Sequence, residues 1–200
     1  MKLKLSADSL DKSSILLIRD FLYDTLMPVI KDKRPILILC IGTDRSTGDS
    51  LGPLVGDKLK FLIRNHVKLF GNLESPLHAK NLNSVLEYIQ NSYKNPYIIA
   101  VDACLGSLQN VGKVIIEKCP LLPGAAVNKN LPPVGDLSIT GIVNISGALE
   151  FMVLQNTRLY TVMTLADTIS KGIYHFVLKA YGGKKVSFPF EESDTQLVNK

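Results

Sequence analysis

Ile36-Leu-Ile-Leu-Cys-Ile-Gly-Thr-Asp-Arg-Ser-Thr-Gly-Asp-Ser-Leu-Gly-Pro53 is the stretch on which the fold turns. It starts as an apolar run of strand length and breaks at Gly42 into a short polar loop. After Asp49, the residues Leu51, Leu54, Val55, Leu59 and Leu62 recur at helical spacing. Strand, polar loop and helix in that order make a parallel α/β unit, whose strand carboxyl end faces a ligand crevice. Asp49 then sits at the helix entrance, where the peptide dipoles favour a negative charge. A plain helix cap accounts for the residue as well as a functional carboxylate does.

Further along, Pro96-Tyr-Ile-Ile-Ala-Val-Asp102 is a second near-continuous apolar run, as expected of a strand buried on both faces. It ends at Asp102, before the small, polar run Ala103-Cys-Leu-Gly-Ser107. Two carboxylates at the carboxyl ends of two parallel strands converge on one edge of a sheet. Such a pair can share a proton, one side chain acting as base and the other as acid. The structural alternative is an Asp that bonds to backbone amides at a strand end.

These motifs carry a family resemblance. Thr47-Gly-Asp-Ser-Leu-Gly-Pro53 and Val101-Asp-Ala103 resemble the two signature sites of the germination protease family, which degrades small acid-soluble spore proteins. Glu74-Ser-Pro-Leu-His-Ala-Lys-Asn-Leu82, between them, also resembles a family stretch. Over nearly its full length the chain is similar to the YyaC-type sporulation proteins, a shorter related group. Both groups share the three-layer fold of the hydrogenase maturation endopeptidases. The resemblance implies that Asp49 and Asp102 are catalytic and that the substrate is a peptide or protein, small acid-soluble spore proteins included. It implies a cytoplasmic setting, in the forespore or spore interior. The alternative it leaves is a sporulation factor that keeps the fold and binds a peptide or protein without cutting it.

The hydrogenase maturation enzymes place a metal-binding Glu just after the first Asp, where this chain has Ser50, and their later His ligand has no match here. Too few ligands remain for nickel or zinc, so a metal-free aspartate pair without a cofactor is expected. Supporting or substrate-binding candidates are Thr43, Asp44, Ser46, Thr47, Gly48 and Ser50 in the first loop, with His78, Ser107, Thr140 and Asn144 elsewhere. Thr43, Ser46, Thr47 and Ser50 either orient Asp49 or a water or only satisfy the helix start. His78 is a proton donor or a capping residue. A homo-oligomer stays open.

Two hundred residues, 46% of them apolar, suffice for one domain with a substantial core. The net charge of +5 comes from scattered lysines and arginines, among them Lys58, Lys60, Arg64, Lys68, Lys184 and Lys185. That distribution reads as a solvated face, and without Trp there is little stacking platform, so direct nucleic-acid binding is not expected. The Gly42–Gly52 loop lacks both the Gly-Lys-Ser/Thr of a P-loop and the Gly-x-Gly-x-x-Gly of a dinucleotide fold. Cys40, Cys104 and Cys119 form no paired spacing, which points to a reducing interior. Cys104 is a nucleophile candidate only by its nearness to Asp102. Arg19, Asp20 and Asp24 interrupt the apolar stretch from Ile15 to Ile30, so no membrane partner is expected.

The remaining pattern predicts helices over about Ser9–Met27, from Asp49 to about His66, and over Leu82–Tyr93, Ile145–Leu154 and Thr164–Tyr181. Strands are expected at Ile36–Ile41, Val67–Phe70, up to Asp102, Lys113–Lys118, Gly135–Asn144 and Leu159–Met163. Cys119 to Gly135, with four prolines, is a long loop of the kind that often carries function. The expected fold is a single three-layer α/β/α sandwich with a mostly parallel sheet over residues 1–200, with tails at 1–8 and 184–200.

Overall fold

All five residues of Ile36–Cys40 are buried, as a Leu- and Ile-rich run between two layers requires. The computed structural model describes residues 4–62, 66–123 and 131–182. In chain order the elements are Lys4–Asp8 (β1), Ser14–Lys31 (α1), Ile36–Cys40 (β2), Leu51–Leu59 (α2), Val67–Phe70 (β3), Leu82–Ser92 (α3) and Tyr97–Gly106 (β4). Lys113–Glu117 (β5), Leu137–Ile145 (β6), Glu150–Gln155 (α4) and Leu159–Tyr181 (α5) complete them. The six strands form one sheet in the order β1-β5-β6-β4-β2-β3. Strands β6, β4, β2 and β3 pair in parallel, while β5 is antiparallel to both of its neighbours. The expected α/β fold with a mostly parallel sheet between helix layers is the one observed.

Alternation along β4 shows how the layers form. Tyr97, Ile99 and Val101 enter the larger core, with Leu22 of α1, Val55 of α2 and Phe176 of α5. Ile98 and Ala100 face the smaller core, built on Leu82 and Ile89 of α3 with Leu121 and Val134. Gly172 lets α5 approach α1, because a Cβ there would press into the Ile18 side chain.

Several expected boundaries shift. Residues 1–8 do not form a tail throughout: Lys4–Asp8 is an edge strand antiparallel to β5, with Ala7 buried. Five residues with one buried position are too short a pattern to stand out in sequence. Leu159–Met163 is not a strand but the start of α5, where Val162, Leu165, Ala166 and Ile169 sustain a helical period that outweighs local β-propensity. Helix α1 continues through Pro28 to Lys31, because Val29 extends its buried face. Helix α2 stops at Leu59, and the helix expected from Ile145 starts only at Glu150. The tail expected at 184–200, Arg64 and the centre of the Cys119–Gly135 loop (124–130) lie outside the described residues. Among the described residues, no helix is long and apolar enough to cross a membrane.

Candidate active site

From β2 the chain crosses to β3 by α2 on the larger-core face, then returns to β4 by α3 on the other face. The chain thus leaves β2 towards β3, whereas it leaves β4 towards β5 on the other side of the sheet, and a crevice opens beyond the carboxyl ends of these neighbouring strands. Ile41 still donates to the Val101 carbonyl at 2.7 Å, but the next amide, Gly42, donates to Leu77 at 2.8 Å. The chain has turned away from β4 at Gly42. A Cβ there would overlap the Asp49 carbonyl oxygen, which accepts from the Thr43 amide at 3.1 Å. Glycine is thus what lets the loop close on itself and bring Asp49 back to the strand end.

Asp49 is the middle residue of a 3-10 turn, Gly48–Ser50, that runs directly into α2. The cap positions belong to Thr47 and Ser50, and neither makes a side-chain capping bond. The cap position of α2 falls on Ser50, one residue after Asp49. Gly48 lies against Leu154 of α4, and the Ser50 hydroxyl donates to the Thr47 carbonyl at 2.7 Å.

Strand β4 does not stop at Asp102, as the apolar pattern suggests; it continues to Gly106 along β6, pairing Asp102 with Thr140. On its other side the last rung with β2 is Cys40 with Val101. Ala103 points its amide to that vacated side and donates to Asp102 Oδ1 at 2.7 Å. The Asp102 carboxyl thus satisfies a backbone donor that β2 no longer reaches.

A cavity of about 490 Å³ opens at this place, lined by both Asp49 and Asp102. Its walls add Cys104 and Thr140, the segment Cys119–Leu122 after β5, and Glu150 and Leu154 of α4. Asp102 is half-buried, and burial pushes its carboxyl up to about 8. The Ala103 amide opposes that rise, and the negative charge of Asp49 adds to it. Burial likewise pushes the Cys104 thiol up to about 11, with the Thr140 hydroxyl offsetting part of the change. A thiol so raised is a poor nucleophile at neutral pH. Cys40, fully buried in β2, is raised further still for the same reason.

Of the supporting candidates, Thr140 lines the cavity. Thr43, through its hydroxyl, accepts from the Arg45 amide at 3.4 Å, and Asp44 is exposed beside it. Ser46 is buried, its hydroxyl without a hydrogen-bond partner among the described residues. Ser107 is exposed and accepts from Asn110 at 2.9 Å. Asn144 ties β6 to α4, donating to the Val153 carbonyl at 3.3 Å and to Thr157 Oγ1 at 3.2 Å. His78 stands outside the cavity wall: its amide donates to Asn81 Oδ1 at 2.8 Å, and its Nδ1 is buried without a partner among the described residues.

Glu117 and Glu150 are cavity residues that sequence reasoning missed. Glu150 follows Leu149, which holds a left-handed φ of 56° and ψ of 43° where α4 begins. That conformation costs a non-glycine residue about 1–2 kcal/mol. Among the described residues, no group of three or more His, Cys, Asp or Glu is gathered so as to hold a metal ion.

Residues 7–172 match the family described as Protein of unknown function (DUF1256). The chain is 54% identical over 140 residues to Uncharacterized protein YyaC of Bacillus subtilis (strain 168), covering 70% of this chain and 68% of that one. Its fold is similar to that of the NiFe hydrogenase maturation protease HycI from Thermococcus kodakarensis KOD1. The TM-score is 0.50 at 19% identity, over 78% of this chain and 98% of that one, a likeness of fold.

Proposed function

The chain belongs to the DUF1256 family, and we propose that it is a peptidase in which Asp49 and Asp102 activate water against a peptide bond. One observation carries the reading: both aspartates line one cavity, where burial and, to a smaller extent, the charge of Asp49 raise the Asp102 carboxyl to about 8. Ionised Asp49 takes a proton from the attacking water as its oxygen bonds to the peptide carbonyl carbon. As the carbon–nitrogen bond breaks, Asp102 gives its proton to the leaving amine. Acid and base are then exchanged, and a proton returned to Asp102 restores the pair. No metal ion or cofactor enters these steps.

The spore setting rests on the likeness of the Thr47–Pro53 and Val101–Ala103 motifs to the germination protease. It makes small acid-soluble spore proteins the first substrates to try and the forespore the place of action. A second reading is a sporulation factor that binds such segments uncut, favoured by the Ala103 amide bond to Asp102, which gives that carboxyl a structural task.

Incubating the protein with small acid-soluble spore proteins, beside Asp49→Asn and Asp102→Asn variants, separates the two. New chain termini, read by mass spectrometry, are expected from the unaltered protein and about 10²–10⁴-fold more slowly from either variant. Folded protein that leaves these substrates whole, or an Asp49→Asn variant that cuts at the full rate, removes the peptidase reading.

A further inference from the structure

The cavity has features that the water-activating pair does not use. Glu150 and Glu117 line it beside Asp49 and Asp102, yet none of the described residues lining it is Lys, Arg or His. In a chain of net charge +5, the charged residues among the described ones that line this opening are all carboxylates. Lys4 pairs with Glu117 at 2.9 Å, whereas the Glu150 carboxylate has no ion pair or hydrogen bond among the described residues. An apolar group entering would strip water from Glu150 without replacing its hydrogen bonds, and an anion would be repelled. An ammonium or guanidinium would make charge-assisted bonds.

The cavity wall carries a second, independent feature. Leu122, on the cavity-lining segment after β5, is 65% exposed. An apolar side chain left in water on a cavity wall offers surface that a bound chain can cover. Charge in the cavity and an exposed Leu on its wall suit a ligand that carries both features.

We propose that the cavity selects a polypeptide segment whose Lys or Arg side chain is held by Glu150, with an apolar neighbour lying on Leu122. The proposal names the substrate class of the site described above and, for its catalytic consequence, rests on the peptidase reading. Glu150 is a specificity-determining residue in it and takes no part in the proton transfers. The cavity volume lies in the usual range for ligand sites and admits a long side chain.

Binding is measured first, by fluorescence polarisation, with full-length protein carrying Asp102→Asn so that peptides stay whole. The probes are labelled peptides of one length with a central Lys, Arg, Gln or Glu between Leu and Phe, and a Lys peptide flanked by Ser. The Lys and Arg peptides should bind about tenfold more tightly than the Gln peptide, less so in high salt. Adding Glu150→Gln should bring Lys and Gln peptides to parity without lowering the melting temperature, and Ser flanks should weaken binding. Equal binding of Lys and Gln peptides, a Lys preference that survives Glu150→Gln, or no binding of any probe overturns the proposal. The same peptides are then given to protein with both aspartates intact. Equal cutting of Lys and Gln peptides overturns the specificity and leaves the peptidase reading standing. A Lys preference in binding with no cutting keeps the specificity and removes the peptidase reading.

Discussion

At neutral pH an aspartate in water holds no proton, so Asp102 can serve as an acid only because its surroundings differ from water. Burial is the larger influence and the charge of Asp49 the smaller, together raising it to about 8. Replacing Asp49 with Asn should therefore lower the Asp102 pKa, measured by carbon-13 NMR of the carboxyl, yet leave it above the ordinary range of about 4. The same shift predicts how stability varies with pH. Because the folded-state value exceeds the unfolded one, the Asp102 contribution is fully present below about pH 4 and is lost as pH rises towards about 8. Melting curves across that window should fall with pH, and should fall less steeply for Asp102→Asn. Cys104 gives a contrast: its raised thiol implies that Cys104→Ser keeps most of the cleavage rate. Both aspartates were legible in sequence because each follows a run of buried apolar residues. Glu150 and Glu117 were not, since their place on the cavity wall comes from how α4 and β5 pack, and no local spacing encodes it.

At the scale of elements, the loop from Gly42 to Ser50 matters most, because its closure fixes where Asp49 lies. Gly42→Ala forces a Cβ onto the Asp49 carbonyl at a φ of 143°. The substitution should cost about 1–3 kcal/mol in denaturant unfolding. It should also reduce cleavage more than an equally destabilising change on the exposed side of α1. A variant as stable and as active as the unaltered protein would show that the loop does not depend on this close approach. The turn into α2 was readable from the polar run after an apolar strand. The end of β4 was not, because Asp102 breaks the apolar pattern while β6 continues to pair with the strand as far as Gly106. The start of α5 was misread for a related reason. Leu159–Met163 suits a short strand locally, and only the longer run to Val177 reveals the helical face that is buried.

For the whole molecule, alternating strands and helices were enough to indicate the sandwich and to bring the β2 and β4 ends together. The antiparallel edge made by β5 and β1 was not legible, since which strands neighbour one another is set by the packing of distant segments. The fold's likeness to a maturation protease at 19% identity concerns architecture, so the proposed peptidase chemistry stands or falls with the two aspartates. The measurement that tests that chemistry most directly is cleavage of a small acid-soluble spore protein by the full-length protein across pH, read as new termini by mass spectrometry. The account predicts cutting at neutral pH that declines above about pH 8, as Asp102 loses the proton it must donate. Protein that stays folded across that range and produces no new termini at any pH would contradict it.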